Sequence, residues 1–123
     1  MRIKFALINL VTAMVLSQQP AFAHAQLTSS VPTQNQILKS WPKLVWIEFD
    51  GNLMTLGDKN PNEISVFNSK MKRVDIGGSM VGGARVSTRL KSGLQPGKYL
   101  VKYRIVSEDG HPVEGNFFFS YRP

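Results

Sequence analysis

The chain has 123 residues, with 15 basic against 8 acidic side chains, 42% hydrophobic residues and no cysteine. The missing cysteines exclude a disulfide-stapled fold, so stability has to come from packing. The bases are dispersed rather than gathered into the stripe or module that nucleic-acid binding requires.

The first 23 residues fall into three zones. Arg2 and Lys4 make a basic start, residues 5–16 form an apolar run, and Ser17-Gln18-Gln19-Pro20 leads to Ala21-Phe22-Ala23. This is the layout of a secretory signal peptide. Its apolar run is shorter than the roughly 20 residues of a bilayer-spanning helix, and no second such run follows. The expectation is a signal peptide over residues 1–23 and an exported, periplasmic protein over residues 24–123 that is not embedded in a membrane. Losing Arg2 and Lys4 leaves 13 basic residues against 8 acidic, a net charge of +5. That length suits one domain of modest size with a single core. Cleavage after Ala23 makes His24 the first residue. Ala23-His24-Ala25 also satisfies the small-x-small rule, but Pro20 then lies at the ordinary distance from the first cut.

Beyond that point the sequence reads as short alternating segments broken by turn residues, the pattern of an all-β sandwich or barrel. Residues 24–31 supply a first strand. Residues 43–50 put Val45, Ile47 and Phe49 on one face and Leu44, Trp46 and Glu48 on the other, and Gly51-Asn52 ends them. Residues 53–61 hold too many breakers for a strand and read as a long connection. Residues 63–68 and 71–76 read as a hairpin through Asn68-Ser69-Lys70. Between Gly77-Gly78 and Gly82-Gly83, Ser79-Met80-Val81 reads as an irregular connection or a weak edge.

Residues 84–90 alternate again, with Ala84, Val86, Thr88 and Leu90 on one face. A loop, Ser92-Gly93-Leu94-Gln95-Pro96-Gly97, follows. The strongest strand lies over residues 98–107, with Tyr99, Val101, Tyr103 and Ile105 inward. Residues 113–121 follow with Phe117, Phe119 and Tyr121 inward, and the two should pair antiparallel. About seven strands in one domain of this size match an immunoglobulin-like Greek-key β-sandwich.

Chemistry concentrates in the loop between the last two strands. In Asp109-Gly110-His111-Pro112, residues two apart in an extended segment point to one side, so a carboxylate and an imidazole can face one point. Gly110 lets the backbone bend and Pro112 stiffens the exit. By itself Asp-Gly is also a favoured hairpin turn. Pairing the motif with a terminal His24 changes its meaning, because a free α-amine and its own imidazole can both bind one ion. The combined set is three nitrogens and one carboxylate oxygen. Such a tetragonal set suits Cu(II) or Ni(II), with Cu(II) the tightest divalent occupant, whereas zinc prefers a tetrahedron. The amine is usable because its ordinary pKa, about 7.7 to 8.0, lies well below that of lysine, and metal binding displaces its proton.

Several stretches together resemble the CopC family of periplasmic copper-binding proteins: a His after an Ala-x-Ala site, LTSSVP behind it, FDGNL after the first long strand, and LQPGKYLVKYRIVSEDGHPVEGNFFF near the end. The resemblance implies a cupredoxin-like β-sandwich that binds copper for resistance or homeostasis, often beside a CopD-like inner-membrane partner. It also implies one Cu(II) ion per chain, held by His24, Asp109 and His111. Some relatives carry a Met-rich loop for a separate Cu(I) site. Here Met54, Met71 and Met80 stand far apart in sequence, which matches the subgroup with one Cu(II) site. Several relatives also place a glutamate at the position of Gly51, so that outer carboxylate is lost or has moved to Asp50, which is not taken as a ligand.

Two other readings compete. An N-terminal His with a second His on copper is also the arrangement of lytic polysaccharide monooxygenases. Against it, Asp109 adds an anionic ligand that favours Cu(II), and the domain leaves little chain for a polysaccharide-binding face. The second is a metal-free sandwich that binds another protein through Trp46 or Phe118, although Trp41, Trp46 and Phe118 can equally pack structurally. No Gly-x-Ser-x-Gly motif occurs, and Gly77-Gly78 and Gly82-Gly83 lack the lysine and helix of a phosphate loop, so hydrolase and nucleotide-binding readings drop out.

Overall fold

Alternation of apolar and polar side chains makes each long strand two-faced, and burying the apolar faces against each other produces two packed sheets. The computed structural model describes residues 25–123; the expected signal segment, residues 1–23, and His24 lie outside the described residues. The strands are β1 (Leu27–Val31), β2 (Ile37–Leu38), β3 (Leu44–Phe49), β4 (Glu63–Phe67), β5 (Asp75–Gly82), β6 (Arg85–Leu90), β7 (Gly97–Val106) and β8 (Pro112–Tyr121). One sheet runs β1-β3-β6-β5 and the other β2-β8-β7-β4. The expected all-β sandwich is therefore the observed fold, with eight strands among the described residues rather than about seven.

The inward faces are those the alternation predicts. Val45, Ile47 and Phe49 of β3 and Val86, Thr88 and Leu90 of β6 meet Ile64 and Val66 of β4, Tyr99, Val101 and Ile105 of β7, and Phe117 and Phe119 of β8, all buried. Antiparallel β7 and β8 pair without interruption from Gly97↔Tyr121 to Val106↔Pro112. Trp41 closes one side of the core, its ring 4.9 Å from that of Tyr99 and 5.3 Å from that of Tyr121, with Nε1 donating to the Lys91 carbonyl at 2.8 Å. Trp46 and Phe118 stand on outer faces beneath cations: Arg85 lies 3.8 Å from the Trp46 ring centroid and the Lys98 ammonium 4.3 Å from that of Phe118.

Two segments depart from the sequence expectation. The first is β2, too short to carry a period, which pairs parallel with the end of β8. The second is the hairpin after β4. The turn forms, with Asn68 Oδ1 accepting from the amides of Lys70 and Lys72 at 3.0 Å, and Val74 N donates back to Val66 O at 2.8 Å. Regular strand, however, begins only at Asp75 and belongs to the opposite sheet. The buried Asp75 carboxylate makes that handover possible by accepting from Val66 N at 2.9 Å and from Arg73 Nε at 3.1 Å. Gly77 and Gly78, both at positive φ, then absorb a register shift between Ile76 and Met80. Of the two readings of Ser79-Met80-Val81 the weak edge is the one observed, and the strand extends back through Gly77 and Gly78 at an edge where a bulge is tolerated.

Candidate metal centre

One end of the sandwich gathers the termini of several strands, and residues 50–54 form a strip across it. At its start, Asp50 grips the chain just after His24: Asp50 N donates to Gln26 O and Gln26 N donates to Asp50 Oδ1, both at 2.8 Å. At its finish, Leu53 forms an antiparallel bridge with Ser107, and Met54 N donates to Val106 O at 2.9 Å. Only Gly51 and Asn52 separate the residue that holds Gln26 from the residue that pairs with Ser107. The entry of the chain into β1 and the loop between β7 and β8 are therefore moored to the same short strip.

That loop, residues 107–111, is a tight turn rather than the extended segment the sequence suggests. Gly110 N donates to Ser107 O and Ser107 N to His111 O, both at 2.9 Å, and Gly110 takes φ +88°, a conformation that glycine adopts without steric penalty. Asp109 and His111 still converge, but the turn brings them together instead of strand alternation. His111 Nδ1 stands 3.0 Å from Asp109 Oδ2, on exposed side chains.

Ser107, which sequence reasoning passed over, organises this pair. Its hydroxyl donates to Asp109 Oδ1, the same Oγ lies 3.1 Å from His111 O, and His111 N approaches Asp109 Oδ1 at 3.3 Å. The Ser107 hydroxyl, helped by His111, holds the Asp109 carboxyl well below the usual carboxylate range, at about 2. The Asp109 carboxylate has one oxygen fixed by Ser107 and the other facing the imidazole.

A carboxylate and an imidazole side by side on an exposed, hydrogen-bonded turn make two donors of the type a borderline metal ion takes. Among the described residues no group of three or more His, Cys, Asp or Glu is placed to hold a metal ion, and residues 25–26, held by Asp50, run to this end of the fold. The Asp50 carboxylate accepts from Gln26 N through Oδ1. Met54 and Asn62 were also missed from sequence, since only tertiary contact brings them here: Asn62 Nδ2 donates to Met54 O and Asn62 Oδ1 accepts from Val106 N, each at 2.8 Å.

A family model described as the CopC domain matches residues 27–122. The copper transport protein CutJ of Bacillus subtilis is 34% identical over 116 residues, covering 92% of this chain, although the match spans only 21% of the length of CutJ. Protein YobA of Escherichia coli is 28% identical over 127 residues, covering 98% of this chain and 94% of its own. Among solved structures, CopC from Methylosinus trichosporium OB3b superposes with a TM-score of 0.70 at 30% identity, over 81% of this chain and 95% of that one. PcoC from Escherichia coli, a methionine-rich copper resistance protein, gives 0.62 at 25% identity, over 81% and 100%.

Proposed function

The chain belongs to the CopC family, and we propose that it is a periplasmic copper carrier that holds one Cu(II) ion through His24, Asp109 and His111. In this reading His24 chelates through its α-amine and ring, His111 adds a third nitrogen, and Asp109 adds an oxygen and a negative charge. The observation that carries it is the common mooring described above: Asp50 binds Gln26, and three residues later Leu53 binds Ser107 of the Asp109–His111 turn.

Each residue has a distinct task. Ser107 fixes one oxygen of the Asp109 carboxylate, so an anion that is ionised at neutral pH in any case is also held in place before the metal arrives. Asp109 in turn faces the His111 imidazole. The anionic oxygen favours Cu(II) over softer states and suits retention of the ion rather than catalysis on it. Exposure of both side chains lets another protein approach the ion directly, as handover to a CopD-like membrane partner requires. The names of CutJ and PcoC, copper transport and copper resistance, agree with a task in copper homeostasis.

The reading is tested by titrating the protein that begins at His24 with Cu(II) against a competing chelator, alongside Asp109→Asn and His111→Ala. One equivalent should bind to the parent, and each variant should bind at least about tenfold more weakly. Equal binding by all three would remove the Asp109–His111 pair from the site.

A further inference from the structure

Building on the copper reading, we propose that Met54 is a further metal-binding residue, whose thioether lets the same end of the sandwich accept Cu(I) as well as Cu(II). The sequence gives no hint of this, because Met54, Met71 and Met80 are scattered and a single methionine carries no motif. The fold separates them by environment. Met71 occupies the turn after β4 and Met80 stands on the edge strand β5, both exposed, whereas Met54 is half-buried against the turn that bears Asp109 and His111.

Its position is built rather than incidental. Met54 N donates to Val106 O at 2.9 Å, so its backbone is tied to the last residue of β7. Its carbonyl accepts from Asn62 Nδ2 while Asn62 Oδ1 accepts from Val106 N, both at 2.8 Å. Asn62 is itself only 2% exposed, so this clamp is shielded from competing water. From that fixed base the side chain reaches over the turn. Its Cε lies 3.8 Å from the point where a Cβ on Gly110 would stand, and Gly110 is the residue between Asp109 and His111.

Donor chemistry gives the position its meaning. Imidazole, amine and carboxylate favour Cu(II), whereas a thioether is a soft ligand that favours Cu(I). Methionine is unbranched with three rotatable bonds, so the sulfur can turn toward an ion beside His111 or away from it without moving the clamped backbone. With Met54 engaged, the site retains copper delivered in the reduced state; with Met54 turned aside, the hard donors hold Cu(II). No electron transfer within the protein is required.

The test compares the protein beginning at His24 with Met54→Leu, a swap of similar volume. Cu(I) affinity is read anaerobically against a chromogenic Cu(I) chelator, and Cu(II) affinity serves as the control for an intact site. Met54→Leu should weaken Cu(I) binding by about tenfold or more while changing Cu(II) binding by less than about twofold. X-ray absorption of the Cu(I)-loaded parent should show a sulfur neighbour, a readout that does not depend on how the variant folds. Unchanged Cu(I) affinity, or a copper shell without sulfur, overturns the role of Met54 while normal Cu(II) binding leaves the copper reading standing. A parent that binds no Cu(II) overturns that reading and this inference with it.

Discussion

His111 Nδ1 and Asp109 Oδ2 stand 3.0 Å apart across Gly110, and the Ser107 hydroxyl occupies the other oxygen of the same carboxylate. Three residues of one turn thus hold an anion and an imidazole in fixed relation before any ion arrives. The arrangement has consequences in the metal-free protein.

Replacing Ser107 by alanine removes the largest influence that depresses Asp109. In the metal-free protein, a carboxyl-detected NMR titration should find Asp109 changing protonation near pH 2, and Ser107→Ala should move that midpoint up toward the ordinary carboxylate value. A carboxyl with a folded pKa below its unfolded one stabilises the fold above the unfolded value, and the contribution is lost as pH falls through about 2. The variant should therefore lose stability relative to the parent near neutral pH, and the difference should vanish in strong acid. A midpoint unmoved by the substitution would show that Ser107 does not govern the charge.

Gly115 lies opposite Tyr103 in the β7–β8 ladder, and a Cβ at Gly115 would overlap the Tyr103 phenol. The Tyr103 ring also sits edge-on to Phe49 at 5.7 Å between centroids, so displacing it disturbs that contact. Gly115→Ala should destabilise the domain by about 1–3 kcal/mol, the usual range for overpacking, measured by urea unfolding. Cu(II) affinity should stay the same, since the substitution lies away from the turn.

The strand pattern was legible because alternation is a local property. Val45, Ile47 and Phe49, or Tyr99, Val101 and Ile105, announce an inward face with no knowledge of what they meet. The Asp109-Gly110-His111 spacing was legible for a similar reason, although a turn rather than an extended segment brings the pair together. What stayed hidden depends on contacts between distant segments. Asn62 and Met54 look like loop residues until the fold places them beside Val106, and Asp75 looks like the interior of a hairpin arm until its carboxylate is seen serving Val66. A weak edge at Ser79-Met80-Val81 was one of the two readings the sequence allowed, but that Gly77 and Gly78 belong to the same strand was not legible, because a bulge has no local signature.

Asn62 is the polar group on which the β7 end of the site depends. It is buried, and its amide serves both Met54 O and Val106 N. Asn62→Ala leaves one acceptor and one donor without their partner, so a loss of about 2–3 kcal/mol is expected in chemical unfolding. Hydrogen exchange should also accelerate at Val106 and Met54 before it does at Val101. Unaltered protection at those two amides would mean that the clamp is not what holds residue 54.

Copper affinity should fall as the medium is acidified, because every proposed nitrogen ligand has to shed its proton before it can bind the ion. Titrations at pH 8 and pH 5 should differ markedly, with the tighter binding at the higher pH. Equal affinities would rule out an amine and imidazoles as the ligands.

The most direct measurement compares two forms of the protein that differ only at the start: one beginning at His24, the other retaining Ala23 so that the His24 nitrogen is locked in a peptide bond. Cu(II) is titrated into each under a competing chelator while electron paramagnetic resonance reports the nitrogen couplings. The account predicts one ion bound by the first form with nitrogen from both histidines and the amine, and binding weakened by about 100-fold or more in the second, as expected when a chelate ring is lost. Equal affinity and identical spectra in the two forms would contradict it.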